Sequence, residues 1–292
     1  MACNRRIFLK TAGAAGLALT AAPRTQAAAR PDGPAVLVDT TRCLGCHSCE
    51  AACAEQNGLP APAEPPFDVF VQRRTTTTSA YTVVNRATEA APDGSERYAK
   101  TQCLHCVSPG CASACPVRAL EKSTAGPVFY HADRCIGCRY CMLACPFGVP
   151  KYEYEKAVPY VRKCTFCFER QAQGLKPACV EACPAEALQF GRRDALLLEA
   201  KGRVFAPESA YLPHVYGERE SGGTSWLYIS DVSMNSLGLR TDLGELSPSD
   251  RTDGALSAVP VVMTLWPPLL MGLYAFAHRR DTRGAREEER HV

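Results

Sequence analysis

The sequence predicts an α+β fold: tandem units of short helices and strands around cysteine-bearing turns, a β-rich insertion, and one C-terminal transmembrane helix. Three observations predict it. Cysteine occurs 17 times in 292 residues, and all but one fall into four groups of four. Short strand-like stretches separate the groups, as in Gly126-Pro-Val-Phe-Tyr-His131. Near the C-terminus, Ala255 to Ala277 contains no charged residue. The remaining composition is ordinary for a globular chain, with 46% hydrophobic residues, Gly 21 and Pro 22, which excludes collagen-like and wholly disordered classes. A disulfide scaffold is disfavoured because those are usually shorter than about 100 residues. A net charge of +3 from 33 basic and 30 acidic side chains gives no basic surface for nucleic acid.

Residues 1–29 read as a signal peptide. Arg5-Arg6 is followed by Ile-Phe-Leu-Lys10, then a weakly apolar run from Thr11 to Ala22, then Ala27-Ala28-Ala29 before Arg30. A basic start, an apolar stretch and small residues at the end are the parts of an export signal. The arginine pair makes it twin-arginine in type, a route for proteins already folded in the cytoplasm. Cys3 precedes the arginines and leaves with the signal, so it is the odd cysteine.

The other sixteen form four quartets. The first is Cys43, Cys46, Cys49 and Cys53; the second is Cys103, Cys106, Cys111 and Cys115. The third is Cys135, Cys138, Cys141 and Cys145; the fourth is Cys164, Cys167, Cys179 and Cys183. Proline follows the last cysteine in three of them, at Pro116, Pro146 and Pro184. A [4Fe–4S] cluster offers four irons at tetrahedral corners, each wanting a thiolate. A C-x2-C-x2-C turn wraps three corners, and the cysteine after it ligates a neighbouring cluster. Four quartets therefore supply four [4Fe–4S] clusters with no cysteine left over. Disulfides and paired zinc ribbons do not need the third and fourth cysteines at this spacing. Cys43-Leu-Gly-Cys46-His47 also matches a haem-attachment pattern, but haem there would orphan Cys49 and Cys53. His47 and His105 are then supporting or surface residues rather than ligands.

The four-cluster domain is expected over 30–191, with an insertion over 58–100 that is Pro-rich at first and alternating from Phe67 to Val84. Quartets two and three are separated by a segment that reads as short helix, turn and strand, the pattern of a two-cluster ferredoxin-like unit. Quartets one and four could form the other unit; pairing one with two and three with four is equally allowed by spacing alone. A C-terminal extension over 192–255 holds a Leu-rich helix from Asp194 to Lys201 and a Gly222-Gly223 turn leading into a strand. The span at 256–277 has the ~20 residues that cross a bilayer. Pro260, Pro267 and Pro268 are better tolerated there than in a soluble helix. The tail at 278–292 opens with His278-Arg279-Arg280, and the preceding flank leans acidic, so the tail is expected in the cytoplasm and the main domain on the periplasmic side of the inner membrane. The export route fits, because clusters inserted in the cytoplasm fix the fold before transport.

Four quartets with these spacings resemble the electron-transfer β subunits of respiratory oxidoreductases, over the stretch from Val36 to the membrane segment. The chain is most similar to the iron–sulfur subunit of hydrogenase-2 type nickel–iron hydrogenases, through its own twin-arginine signal, its Pro213-His-Val-Tyr-Gly-Glu…Gly222-Gly-Thr224 stretch and its single C-terminal span. Formate dehydrogenase β subunits come next. The resemblance implies the pairing of one with four and two with three. It gives one set as Cys43, Cys46, Cys49 and Cys183, and a second as Cys164, Cys167, Cys179 and Cys53. A third is Cys103, Cys106, Cys111 and Cys145, and a fourth Cys135, Cys138, Cys141 and Cys115. It also implies a catalytic partner of the hydrogenase or molybdopterin type, the latter as in formate dehydrogenase or polysulfide reductase, and a quinone-reactive membrane partner. No acid–base pair or substrate motif is visible, so the chain is expected not to be catalytic by itself. Arg134, Arg139 and Lys163 lie beside cysteines and are candidates for raising local potentials.

Overall fold

Strand β1 (Pro34–Asp39) is an apolar run, buried over nearly its whole length, that leads into the first quartet. Helix α1 (Ser48–Gln56) carries Cys49 and Cys53. The insertion contributes an antiparallel ladder of β2 (Thr82–Arg86) and β3 (Tyr98–Gln102). The second quartet brings α2 (Gly110–Ser113), and the hairpin of β4 (Leu120–Lys122) and β5 (Val128–Tyr130) leads to the third, with α3 (Tyr140–Ala144). A two-residue pairing of β6 (Lys151–Tyr152) with β7 (Val161–Arg162) precedes the fourth quartet. Helices α4 (Phe168–Ala172) and α5 (Ala178–Glu181) follow, then β8 (Leu188–Arg192), α6 (Arg193–Val204), β9 (Trp226–Ile229) and α7 (Pro248–Glu288). This computed structural model describes residues 32–62 and 72–288, with side chains to 279; the signal segment with Cys3 and residues 63–71 of the insertion lie outside it. The described chain falls into one unit up to Ser249 and another from Asp250.

The main sheet has the order β8-β1-β9, with β1 antiparallel to β8 and parallel to β9. A central strand covered on both faces needs apolar residues at every position, which Ala35-Val-Leu-Val38 supplies. Val36 and Val38 face a core with Phe166, Tyr216, Trp226 and Tyr228. Ala35 and Leu37 face the other way, onto Leu196, Ala200 and Val204 of α6.

The strand pairings repeat. The strand after quartet two, β4, pairs antiparallel with the strand before quartet three, β5. The strand after quartet four, β8, pairs antiparallel with the strand before quartet one, β1. Helix α2 packs on α3, and α1 packs on α5.

The insertion is less β-rich than its alternation predicts. Among the described residues the first strand begins only at Thr82, and the ladder runs on to Gln102. The Thr75–Thr78 run, which reads as a strand or a turn, forms no strand and enters a turn at Thr77, whose hydroxyl accepts the N–H groups of Ser79 and Ala80 at 3.2 and 3.0 Å. Such local bonds divert a chain from sheet pairing. The Gly222-Gly223 turn does lead into a strand, and both glycines have φ above +80°. The guanidinium of Arg193 fastens this region from below, donating to the carbonyls of Thr224 at 2.7 Å and Gly217 at 3.0 Å.

Helix α7 is continuous for 41 residues through Pro260, Pro267 and Pro268. It starts before and ends after the anticipated span. The Thr264 hydroxyl donates to the Pro260 carbonyl at 2.8 Å, one way a helix steadies backbone near a proline. Within Pro248–Arg279 an 18-residue window reaches a mean hydropathy of 1.6, and the stretch is long and apolar enough to cross a membrane.

Leu37 is fully buried between β1 and α6. Leu37→Ala is expected to lower unfolding free energy by about 2–5 kcal/mol, read as a shift in the urea midpoint at unchanged slope.

Candidate metal centre

All sixteen described cysteines are free thiols. The chain brings them to their places with one repeated turn. The residue before the second cysteine of each quartet has positive φ: Gly45 (66°), His105 (46°), Gly137 (71°) and Phe166 (60°). This left-handed residue curls the turn so that successive thiols can face one centre. Glycine takes the conformation freely, whereas other residues are strained by roughly 1–2 kcal/mol. In quartets one and three the glycine has a second reason: a Cβ at Gly45 would meet the Tyr98 ring at 2.9 Å, and one at Gly137 the Tyr152 hydroxyl at 2.7 Å. In quartets two and four the strained residues are His105 and Phe166, whose buried rings stack at 4.9 Å. A second shared turn follows each Cys-Pro, where the N–H groups of Arg118, Gly148 and Glu186 return to the carbonyls of Cys115, Cys145 and Cys183 at 3.1–3.3 Å.

Electrostatics reveals which thiols are neighbours. Burial pushes Cys43 up, and Cys183 and Cys46 push it further; Cys49 is raised by burial and then by Cys179 and Cys43. Burial raises Cys53 to about 11, with Cys179 and Cys167 adding to it, and raises Cys164 strongly, with Cys53, Cys103 and Cys179 adding. Cys106 is raised by burial, then by Cys111, Cys103 and Cys145. Cys141 is raised to about 11 by burial, then by Cys115, Cys135 and Cys138. Cys53, Cys164, Cys167 and Cys179 are all buried, whereas Cys46 and Cys138 are exposed.

Thiols that are buried and repel each other once ionised need a cationic group among them to become thiolates. The donor chemistry therefore fits iron–sulfur clusters. Among the described residues no three Cys, His or carboxylate groups close on a point at single-ion distance. Around Cys43, Cys46, Cys49 and Cys183 the side chains line a cavity instead, with Val38, Val84 and Lys100. His105 is fully buried; its Nδ1 accepts the Val128 N–H at 3.0 Å, so Nε2 carries the proton, and among the described residues Nε2 makes no hydrogen bond of good geometry. The indole N–H of Trp226 is buried in the same state. Sulfide is an acceptor suited to such donors. Direct N–H contacts to cysteine sulfur occur at Cys115 from Ala119 (3.1 Å) and at Cys164 from Phe166 (3.3 Å).

The two histidines have supporting roles. His47 starts α1 in a left-handed conformation and bonds Glu50 at 2.8 Å; Glu50 also accepts from Arg74 and the Val84 N–H. Of the three basic residues beside cysteines, only Lys163 is buried, and it donates to the carbonyls of Val128 and Cys164 at 2.6 and 3.1 Å. Arg134 is half exposed near Glu121, and Arg139 lies over the Tyr152 and Tyr154 rings. Sequence reading missed Lys100, buried on the strand that leads into Cys103, and the half-buried Lys122, both of which act on thiols. Alternation in β3, which places Lys100 on the face with Gln102, was the available signal.

The family described as a 4Fe-4S dicluster domain matches residues 95–193. A protein of Nitratidesulfovibrio vulgaris is 46% identical over 98% of this chain and 80% of its own length. The hydrogenase-2 operon protein HybA of Escherichia coli O157:H7 is 36% identical over 96% of each chain. The nitrate-inducible formate dehydrogenase iron–sulfur subunit of Escherichia coli K12 is 34% identical over 67% of each.

Gly45 and Gly58 both have positive φ, but nothing lies within 4 Å of a Cβ at Gly58. Gly58→Ala is expected to cost only the backbone strain, about 1–2 kcal/mol. Gly45→Ala should cost more, because the Tyr98 ring must also move; equal thermal shifts for the two variants would contradict this account of the turn.

Proposed function

The chain belongs to the family of iron–sulfur electron-transfer subunits of respiratory oxidoreductases, and on that premise we propose that it is the membrane-anchored relay between a nickel–iron hydrogenase catalytic subunit and a quinone-reactive membrane subunit. Its cofactors are [4Fe–4S] clusters, which when bound supply one-electron redox centres. The hydrogenase assignment is supported by the extent of likeness: HybA matches over 96% of both chains, the formate dehydrogenase subunit over 67%.

The reading assigns Cys43, Cys46, Cys49 and Cys183 to one cluster, and Cys53, Cys164, Cys167 and Cys179 to the next. Cys103, Cys106, Cys111 and Cys145 hold the third; Cys115, Cys135, Cys138 and Cys141 hold the fourth. The observation that carries it is the agreement of two independent features. The thiols raise one another in these groupings, and β8 pairs with β1 as β4 pairs with β5, which is what two ferredoxin-like units built from quartets one with four and two with three require. The same electrostatic neighbours support an arrangement of the sets in series, through Cys49 with Cys179, Cys164 with Cys103 and Cys111 with Cys141. The inner two sets are the more buried, and each outer set has one exposed cysteine, Cys46 or Cys138, where a partner's redox centre could approach. The protein's own work is to hold the thiolates, keep water from the inner sets, and donate N–H groups to sulfur.

The domain limits proposed are a twin-arginine signal over 1–29, the four-cluster domain over 30–191, the extension over 192–255, the span over 256–277 and a cytoplasmic tail. The length and hydropathy of α7 support the anchor, with the cluster domain on the periplasmic side.

Purified chain is expected to hold about sixteen iron and sixteen acid-labile sulfide ions; covalent haem, or under half that iron, would overturn the reading. Cys183→Ser should perturb the spectroscopic signal of the cluster held by quartet one and leave that of Cys164, Cys167 and Cys179; the reverse result would break the pairing. A chain ending at Ser249 should leave the membrane fraction. Tagged chain drawn from its native membranes should bring nickel with it, and molybdenum in its place would replace the hydrogenase by a molybdopterin partner.

A further inference from the structure

Lys100 is a buried ammonium facing two cysteine sets at once. It is 2% exposed, on β3, and lines the cavity around Cys43, Cys46, Cys49 and Cys183. Its Nζ donates to the Gln102 Oε1 at 3.0 Å and stands 4.6 Å from the centroid of the Trp226 ring. Gln102 Nε2 donates to the Tyr228 hydroxyl at 2.8 Å, and that hydroxyl donates to the carbonyl of Lys100 at 2.9 Å. These contacts are all neutral, and among the described residues no carboxylate lies in ion-pair reach of the ammonium. Glu50, whose charge also acts on Cys49 and Cys53, is engaged by Arg74 and His47.

A buried cation without a counter-charge is costly, and an amide and a ring face offset only part of that cost. The negative charges it does feel are on Cys179, Cys49, Cys164 and Cys53, which belong to the first and second sets. In return its charge favours thiolate at Cys49, Cys53, Cys164 and Cys167. The third set has other lysines. Lys122 acts on Cys106 and Lys163 on Cys111, and their ammonium groups rest on backbone carbonyls.

We propose that Lys100 is the shared counter-charge of the first two cysteine sets and raises the reduction potentials of both their clusters together. Reduction adds one negative charge to a site, and a fixed positive charge in a low-dielectric surrounding stabilises the reduced form. The Lys100–Gln102–Tyr228 network fixes where that charge sits. Lys100 is a tuning residue that acts through the clusters and ligates nothing. The inference rests on the assignment of the sixteen cysteines to four clusters.

The test is a potentiometric titration of the full-length protein, followed by electron paramagnetic resonance, on wild type, Lys100→Met and Lys100→Arg. Iron is counted first in the wild type: under half of about sixteen per chain removes the cluster assignment itself and the lysine's role with it. With the assignment standing, Lys100→Met should retain its iron and shift two couples down. At a fixed potential their reduced-to-oxidised ratio should fall by about tenfold or more, which is 59 mV for a one-electron couple. The other two couples, and all four in Lys100→Arg, should stay within about threefold of wild type. Four unmoved couples in Lys100→Met, or four displaced alike, overturn the proposal. If Lys100→Met loses iron, Lys100→Arg decides: a loaded protein with wild-type couples supports the need for charge, and iron loss in both variants assigns Lys100 to packing and overturns it.

Discussion

Thiolates out of water are the constraint on which this structure turns. A thiol in an apolar surrounding resists ionisation, and each ionised neighbour makes the next one harder. Cys106, flanked by Cys103, Cys111 and Cys145, shows both effects at once. A cationic group in the centre reverses them, so ligand formation and folding become one event. The small size of the elements around the quartets follows. Helices of four or five residues such as α2, α3 and α5, and strands of two or three such as β4 to β7, could not stand alone. They are held because their cysteines are held.

The turn geometry is the local counterpart of that constraint. Wrapping three thiols around one centre requires a left-handed residue before the second cysteine, and the chain meets this in two ways. Where an aromatic ring presses close, at Tyr98 and Tyr152, the residue is glycine. Where the turn is buried it is His105 or Phe166, and the stacked rings return part of the backbone strain as packing. That stack joins the turns of quartets two and four through two buried side chains at strained positions.

A conventional core does exist, but it lies beside the cysteines. The β8-β1-β9 sheet buries both faces, one on α6 and the other on the aromatic group of Phe166, Tyr216, Trp226 and Tyr228. The extension after Gly191 thus completes the sheet that leads into quartet one. The Pro213–Thr224 stretch has a structural reason as well, since a Cβ at Gly217 would run into the Trp226 carbonyl.

Cysteine spacing by itself determined the cofactor class and every candidate ligand, because four corners of one cluster impose the same short turn wherever they occur. Hydropathy determined the candidate span within the long C-terminal helix, since fitness to cross a bilayer is a matter of length and polarity. The helix at Asp194–Lys201 and the strands after Gly126 and Gly223 were equally local. Spacing left open which quartets face each other, as that depends on strands 150 residues apart: Val38 meets Leu188 only in the folded sheet. The same holds for Lys100, an unremarked residue in a polar-looking segment that the β2–β3 ladder turns inward against four thiols. Of the alternating stretch from Phe67 to Val84, the described residues form a strand only from Thr82, because the Thr77 hydroxyl finds backbone partners before it. Local pattern carries what one turn of chain can satisfy; burial and charge between distant segments belong to the tertiary fold, because only there does water leave.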